Sequence, residues 1–212
     1  MSDSTLRRLK RAYSGEVRYA DRLVARIVDQ LRALGLADDV TLAVTGDHGE
    51  SFGEHGIVGH GMSLGQPVAG VPLVVAGPGI TRDRVDAPVS LSALAGTVAE
   101  ALVGAEHPFP IPSLTRQEAR GAARFEVEPP WIHFPPPGLK MRQAPEGMDL
   151  PAAAFYEGDM KLIVGSFWKE ALYDLRVDPG ETTNLIGRVP VPAGLQRMRD
   201  EWERSVPGAR RT

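Results

Sequence analysis

The sequence contains no cysteine, and this absence excludes disulfide bonds, thiolate metal sites and cysteine nucleophiles. Its 24 basic residues are scattered and are outnumbered by 27 acidic ones, whereas a nucleic-acid-binding protein needs a clustered basic face. No hydrophobic run is long enough to span a bilayer, and no apolar segment of a signal peptide follows the first basic residues. We therefore expect no nucleic-acid partner and no membrane span. The chain as given is expected to be soluble and cytoplasmic, although a signal peptide could have been lost with the N-terminus.

The first half of the sequence alternates helical and strand patterns. Apolar residues recur at three- and four-residue steps over residues 6–34, which predicts an amphipathic helix. Two nearly continuous apolar runs, 40–45 and 71–76, predict buried strands, and the first reads as a parallel strand covered on both faces. Residues 91–102 predict a second helix that ends at Gly104. Its predicted core-facing stripe consists of Leu91, Leu94, Ala95, Val98, Ala101 and Leu102. This order of elements is typical of the α/β class.

The second half is first proline-rich and then rich in strand patterns. Prolines interrupt residues 107–150, which predicts connecting loops with one short strand at 123–127. Three later runs predict antiparallel strands: 153–156, 161–165 and 171–175. A helix is expected at 193–204, with Leu195, Met198 and Trp202 on one face.

These patterns suggest three parts. Residues 1–106 form an α/β part, 107–150 connect, and 151–212 form a small antiparallel β subdomain with a C-terminal helix.

The residues most suited to chemistry follow the first predicted strand. Asp47 and His48 lie just beyond its carboxyl end, where open α/β sheets place their ligand sites. A carboxylate and an imidazole suit a hard or borderline divalent cation. The surrounding glycines permit the bends that bring later residues back over the same point. Spacing alone leaves two interpretations open, a metal site and a solvated loop.

The segment TGDHGESFGEHGIVGHG, residues 45–61, closely resembles the DHGE loop of sulfatases, within the alkaline phosphatase-like superfamily. The preceding YADRLVARIVDQLRALGLADDVTLAVTGDHGE resembles the family's helix and strand before the site, and VPLVVAGPG resembles its next strand. LYDLRVDPGETTNL, residues 172–185, is similar to the family's C-terminal signature. The resemblance implies part of an alkaline phosphatase-like α/β sandwich, followed by a small antiparallel sheet with a C-terminal helix.

The resemblance also implies roles for single residues. Asp47 and His48 match positions that bind one divalent metal, with calcium expected first and magnesium or manganese as alternatives. His60 lies thirteen positions after Asp47, where sulfatases often have a lysine that contacts sulfate. We expect His60 to contact an anionic substrate or leaving group, or else only to order the loop. Glu50 and His55 are assigned to hydrogen bonds within the loop.

Other polar and aromatic residues receive less specific assignments. Asp38 and Asp39 are interpreted as a solvated turn before the strand. The C-terminal signature is interpreted as a structural hairpin; its polar residues are Tyr173, Asp174, Asp178 and Asn184. Four aromatic side chains could line a substrate cleft or pack in a core: Trp131, His133, Phe134 and Trp168.

The family's nucleophile motif, C/S-x-P/A-x-R, does not occur in these 212 residues. The nearest text begins at Ser205, but the arginine that follows, Arg210, stands one position too late. The sequence therefore predicts a sulfatase-like, metal-dependent hydrolase of sulfate esters, present as a C-terminal portion that is inactive alone.

Two alternatives stay open at this point. One is a phosphodiesterase or phosphoglycerol transferase of the same superfamily, which His60 favours, and the other is a non-catalytic interaction module. The expected partners are an anionic sulfate or phosphate ester and either a missing N-terminal half or an oligomer partner.

Overall fold

The computed structural model describes residues 2–61, 63–104, 111–116, 119–127, 151–165 and 169–206. The described residues form two compact units, one within 2–60 and 67–83 and the other within 61–66 and 84–206. No helix among the described residues is long and apolar enough to cross a membrane. The mixed helices and sheets confirm the predicted α/β class.

The first unit begins with the long helix α1, Asp3–Ala33. Ser2 caps its start by accepting a hydrogen bond from the Thr5 N–H, and Gly35 ends it in the left-handed region at φ 70°. The helix predicted over 6–34 is thus confirmed. None of its residues is fully buried, and Val17 and Ile27 are each 52% exposed.

Strands β1, Leu42–Thr45, and β4, Leu73–Ala76, pair antiparallel with Thr45 opposite Leu73. Between them lie β2 at Ser51–Phe52, a 3-10 turn at Glu54–Gly56, β3 at Val58–Gly59 and helix α2 at Gln66–Ala69. The expectation of buried strands, with β1 parallel, was wrong. In the described residues β1 pairs only with β4, and half-buried side chains alternate with exposed ones along both strands. Such alternation is typical of a strand covered on at most one face.

Helix α3, Ala93–Val103, lies in the second unit and ends at Gly104 as predicted. Its predicted core-facing stripe was wrong: Val98 is 57% and Leu102 is 78% exposed. The buried residues are instead the small Ala93, Gly96, Thr97 and Ala99. A side chain at Gly96 would lie 2.4 Å from the Ile111 carbonyl oxygen, so small residues set the contact face by allowing close backbone approach.

The second unit also contains a four-stranded antiparallel sheet in the order β5-β6-β7-β8. Its strands are β5 Ala122–Val127, β6 Ala152–Glu157, β7 Met160–Gly165 and β8 Ala171–Asp174. Gly158, at φ 57°, makes the tight turn between β6 and β7. These strands confirm the predicted hairpins, and β5 adds the short strand expected before them.

Helix α4, Ala193–Ser205, covers one face of this sheet. Leu195 and Trp202 are buried as predicted, and Met198 packs against the same cluster. The cluster is completed by alternate residues of the strands: Ala153, Phe155, Leu162, Val164 and Leu172. Intervening residues of β6 and β7 point to the opposite face of the sheet.

Most of the predicted connecting segment lies outside the described residues, as do Trp131, His133, Phe134 and Trp168. The division into parts at 106 and 150 remains a proposal.

Candidate metal centre

Asp47 and His48 follow β1 after Gly46, at the carboxyl end of the strand. The His48 N–H donates to Asp47 Oδ1 at 3.0 Å, and His48 Nε2 lies 3.9 Å from Asp47 Oδ2. Protein ligands bind calcium or zinc at roughly 2.0–2.6 Å, so one cation between these two atoms could contact both. The side chain of Asp47 is 92% exposed and that of His48 is 38% exposed.

A backbone carbonyl selects the tautomer of His48. Nδ1 lies 3.0 Å from the Gly49 carbonyl oxygen, and because that oxygen can only accept, Nδ1 carries the proton. The Nε2 lone pair then points away from this bond. Histidines that bind metals commonly donate their other ring nitrogen to a carbonyl or carboxylate. The Asp47 carboxylate and the His48 imidazole are therefore both suitable as ligands of a divalent cation.

His60 lies directly beside His48. The two rings stack with their centroids 4.1 Å apart and their planes at 27°. His60 Nδ1 donates to Glu50 Oε2 at 3.0 Å, which fixes the ring and leaves Nε2 on its other side. The structure thus brings together Asp47, His48 and His60, and Glu50 makes the loop hydrogen bond expected of it.

Two close backbone contacts shape this loop. The Gly49 N–H donates to the Val68 carbonyl at 2.8 Å. A side chain at Gly49 would lie 2.1 Å from the Pro67 carbonyl oxygen, which no Cβ tolerates. Glycine is therefore required between His48 and Glu50 because the backbone of residues 67–68 passes against it.

Helix α1 supports the β2 end of the loop. Tyr13 packs edge-on against Phe52 at 5.1 Å, and Lys10 pairs with Glu54 at 3.3 Å. Burial acts to raise the pKa of Glu54, but hydrogen bonds from the Phe52 and Glu54 N–H groups, together with Lys10, outweigh it and hold that pKa below its usual range.

Other acidic and imidazole groups remain apart from this centre. Asp38 and Asp39 are exposed in the turn before β1, as predicted. His55 lies in the 3-10 turn with a left-handed φ of 54°. Within the described ranges no group of three or more metal-binding side chains gathers. Asp47 and His48 therefore fit part of a cation site.

The C-terminal signature was interpreted as a structural hairpin, but in the described residues β8 pairs only with β7, and 175–185 form a loop instead of a second strand. The loop returns to β8 where the Leu185 N–H donates to the Leu172 carbonyl at 2.8 Å. Asn184 Oδ1 accepts from the N–H groups of Leu172 and Ile186, and its Nδ2 donates to the Glu170 carbonyl. Asp178 accepts from the N–H groups of Thr182 and Thr183. Both side chains are engaged by backbone groups of the loop and of β8.

Sequence reasoning missed a buried ion pair between Lys161 of β7 and Glu181 of this loop. Burial lowers the pKa of Lys161, while Glu181 opposes that shift. Burial also raises the pKa of the neighbouring Tyr156, and Glu181 adds to that increase. The only sequence signal was the lysine within the otherwise apolar run of β7. Lysines are also common on exposed edge strands, so this residue alone does not indicate a buried ion pair.

Comparisons with known proteins agree with this architecture. The family model described as Sulfatase matches residues 2–105. Choline-sulfatase of Rhizobium meliloti (strain 1021) is 30% identical over 192 residues, which is 87% of this chain and 34% of that protein. The uncharacterized sulfatase YidJ of Escherichia coli (strain K12) is 28% identical over 189 residues, 86% of this chain and 35% of that protein.

A solved structure shares the fold. The phosphonate monoester hydrolase SpPMH from Silicibacter pomeroyi superposes with a TM-score of 0.70 at 23% identity, over 96% of this chain and 42% of that one. The chain spans about a third of the length of the curated relatives that it matches. With the family match, the sequence relatives and the shared fold in agreement, the chain belongs to the sulfatase family of the alkaline phosphatase-like superfamily.

Proposed function

We propose that residues 45–61 of this chain, here called the metal loop, form part of the metal site of a sulfatase-like hydrolase that cleaves sulfate esters. The observation that carries the proposal is the pair of donor atoms on Asp47 and His48, 3.9 Å apart, with the His48 tautomer set for binding through Nε2. A divalent cation, with calcium as the first candidate and magnesium or manganese as alternatives, would supply polarisation of the ester oxygens and stabilisation of developing negative charge.

The residues of the chain contribute binding and orientation. Asp47 offers a carboxylate on an exposed surface, and His48 offers an imidazole whose ring the Gly49 carbonyl holds in place. His60, oriented by Glu50, presents Nε2 beside the His48 ring. Through Nε2, His60 would contact an anionic oxygen of the substrate or leaving group.

A phosphate or phosphonate ester is the second candidate substrate class. A lysine at this position would present a compact ammonium charge, whereas His60 presents a ring nitrogen. The shared fold with a phosphonate monoester hydrolase is compatible with this alternative. Either class requires further ligands and a nucleophile, which we propose come from a missing N-terminal half of the fold or from an oligomer partner.

Metal binding is the direct test of the proposal. We expect calcium, magnesium or manganese to raise the melting temperature of the chain, because a ligand that binds only the folded state stabilises it. Two protein donors leave most positions to water, so a dissociation constant of about 10⁻⁴–10⁻³ M is expected. At ten times that concentration the gain in folding free energy is about 1.4 kcal/mol. Manganese should also broaden the NMR signals of His48.

Asp47→Ala should abolish both effects, and Asp38→Ala is the matched control because Asp38 is an exposed carboxylate nine positions earlier. Metal responses that are the same in wild type and Asp47→Ala would overturn the assignment. Such a result would favour the non-catalytic interaction module.

A further inference from the structure

Lys161 and Glu181 form an ion pair whose side chains are 0% and 1% exposed. Each of the two side chains also binds a backbone group of another segment. Lys161 Nζ donates to the Leu64 carbonyl at 2.6 Å, and Glu181 Oε2 accepts from the Gln66 N–H at 2.7 Å. Tyr156 Oη donates to Gln66 Oε1 at 3.2 Å. Both charges therefore bind the short segment 63–66.

Stability alone is a poor explanation for this arrangement. Burying two charges carries a large desolvation cost, and a hydrophobic pair of similar volume is often as stable or more so. Glu181 also adopts a left-handed φ of 54°, which a residue other than glycine reaches at a cost. The hydrophobic core lies on the other face of the sheet, where Leu162 and Val164 pack in one cluster with residues of α4. The ion pair is therefore not part of that core.

The backbone of segment 63–66 explains what the two charges provide. Ser63 is 1% and Leu64 is 0% exposed, and Gly65 is also buried. A buried carbonyl and a buried N–H each need a hydrogen-bond partner. Lys161 satisfies the first at Leu64, and Glu181 satisfies the second at Gln66. The pair thus fixes this stretch of backbone in a way that apolar side chains could not.

Segment 63–66 continues the metal loop, since His60 precedes it by only three positions. We propose that Lys161 and Glu181 are positioning residues that anchor segment 63–66 and thereby restrain the end of the metal loop at His60. The consequence at His60 rests on the proposed function, whereas the anchoring of the segment does not. Neither residue contacts substrate in this proposal.

The test separates anchoring from overall stability. In the double variant Lys161→Met/Glu181→Met, neither residue leaves an unpaired buried charge, so the melting temperature should be higher than in either single variant. It should stay somewhat below that of wild type, because the Leu64 carbonyl and the Gln66 N–H lose their partners. The Gln66 amide should nevertheless exchange its hydrogen at least ~10-fold faster, because its acceptor is gone. Faster exchange should extend to Gly59, which pairs with Ser51 between β2 and β3, while amides paired between β6 and β7 keep their protection. Hydrogen exchange followed by NMR on the full chain measures all of these.

Arg199→Met/Glu170→Met is the matched control, since this pair at 2.9 Å is also in the second unit. Exchange of the Gln66 and Gly59 amides should be unchanged in this control variant. Unaltered exchange at Gln66 in the Lys161→Met/Glu181→Met chain would show that the two residues do not anchor segment 63–66. Faster exchange at Gln66 without change at Gly59 would show that the anchored segment does not restrain His60. A manganese titration tests the proposed function separately. If wild type does not bind manganese, the metal centre is contradicted, but hydrogen exchange at Gln66 still tests whether Lys161 and Glu181 anchor segment 63–66.

Discussion

Gly49 lies in the metal loop against the backbone of Pro67 and Val68, which leaves no room for a side chain. Its N–H is bonded to the Val68 carbonyl, its own carbonyl accepts from His48, and the Pro67 carbonyl occupies the place of a side chain. One methyl group there must displace backbone rather than a flexible side chain. The orientation of His48 consequently depends on a residue that has no functional group.

Gly49→Ala should destabilise the chain by about 1–3 kcal/mol, the usual cost of forcing extra atoms into a packed site. The change should also weaken manganese binding, because the Gly49 carbonyl that fixes His48 moves with the backbone. Thermal unfolding and manganese titration measure the two effects. Gly61→Ala is the control, since a side chain there meets nothing within 4 Å. Equal behaviour of the two variants would contradict the close approach that the structure shows.

At the residue level, the sequence predicted the group of residues that lie close together in the chain, and it missed the contact between residues that are far apart in it. Asp47, His48 and His60 share one short loop, so their type and spacing already indicated a site. Lys161 and Glu181 are twenty positions apart and meet segment 63–66 only through tertiary contacts. No periodicity reports such a contact, and the fate of a charged residue in a strand depends on what covers that face.

Among the elements, α4 is the one whose buried face the sequence predicted correctly. Leucine, methionine and tryptophan recur at helical spacing on an otherwise charged helix, so the pattern has one interpretation. Helix α3 is apolar around most of its surface, and such a helix does not reveal which side faces the core. Its contact face is set by the small residues at Gly96 and Ala99, which a search for large apolar residues overlooks.

Trp202 connects α4 to the sheet in two ways. Its ring meets Phe155 edge-on at 6.0 Å, and its Nε1 donates to Glu126 Oε2 at 2.9 Å. Trp202→Ala should cost about 3–5 kcal/mol, as is typical for a large aromatic removed from a core. Amide exchange in β7 under conditions of global unfolding measures this loss. Glu201→Ala, one position earlier and exposed, should change it by no more than about 0.5 kcal/mol.

On the scale of the whole molecule, the chain holds two proposed metal ligands and no nucleophile motif within its 212 residues. We predict that the purified chain does not hydrolyse a nitrophenyl sulfate or a bis-nitrophenyl phosphate faster than its Asp47→Ala variant. Transition-state stabilisation requires a nucleophile and a complete set of charges around the reacting group. Spectrophotometric assays with each metal test this, and metal-dependent turnover that Asp47→Ala removes would contradict the proposed inactivity of the chain alone.

The long helix α1 has one more consequence, for how the chain unfolds. Because none of its residues is fully buried, it draws most of its stability from its own hydrogen bonds, and such helices melt gradually from their ends. It is longer than α3 and α4 together, so it dominates the helical circular dichroism signal. A broad, early loss of that signal would therefore report fraying of α1, while the sheet beneath Trp202 remained intact.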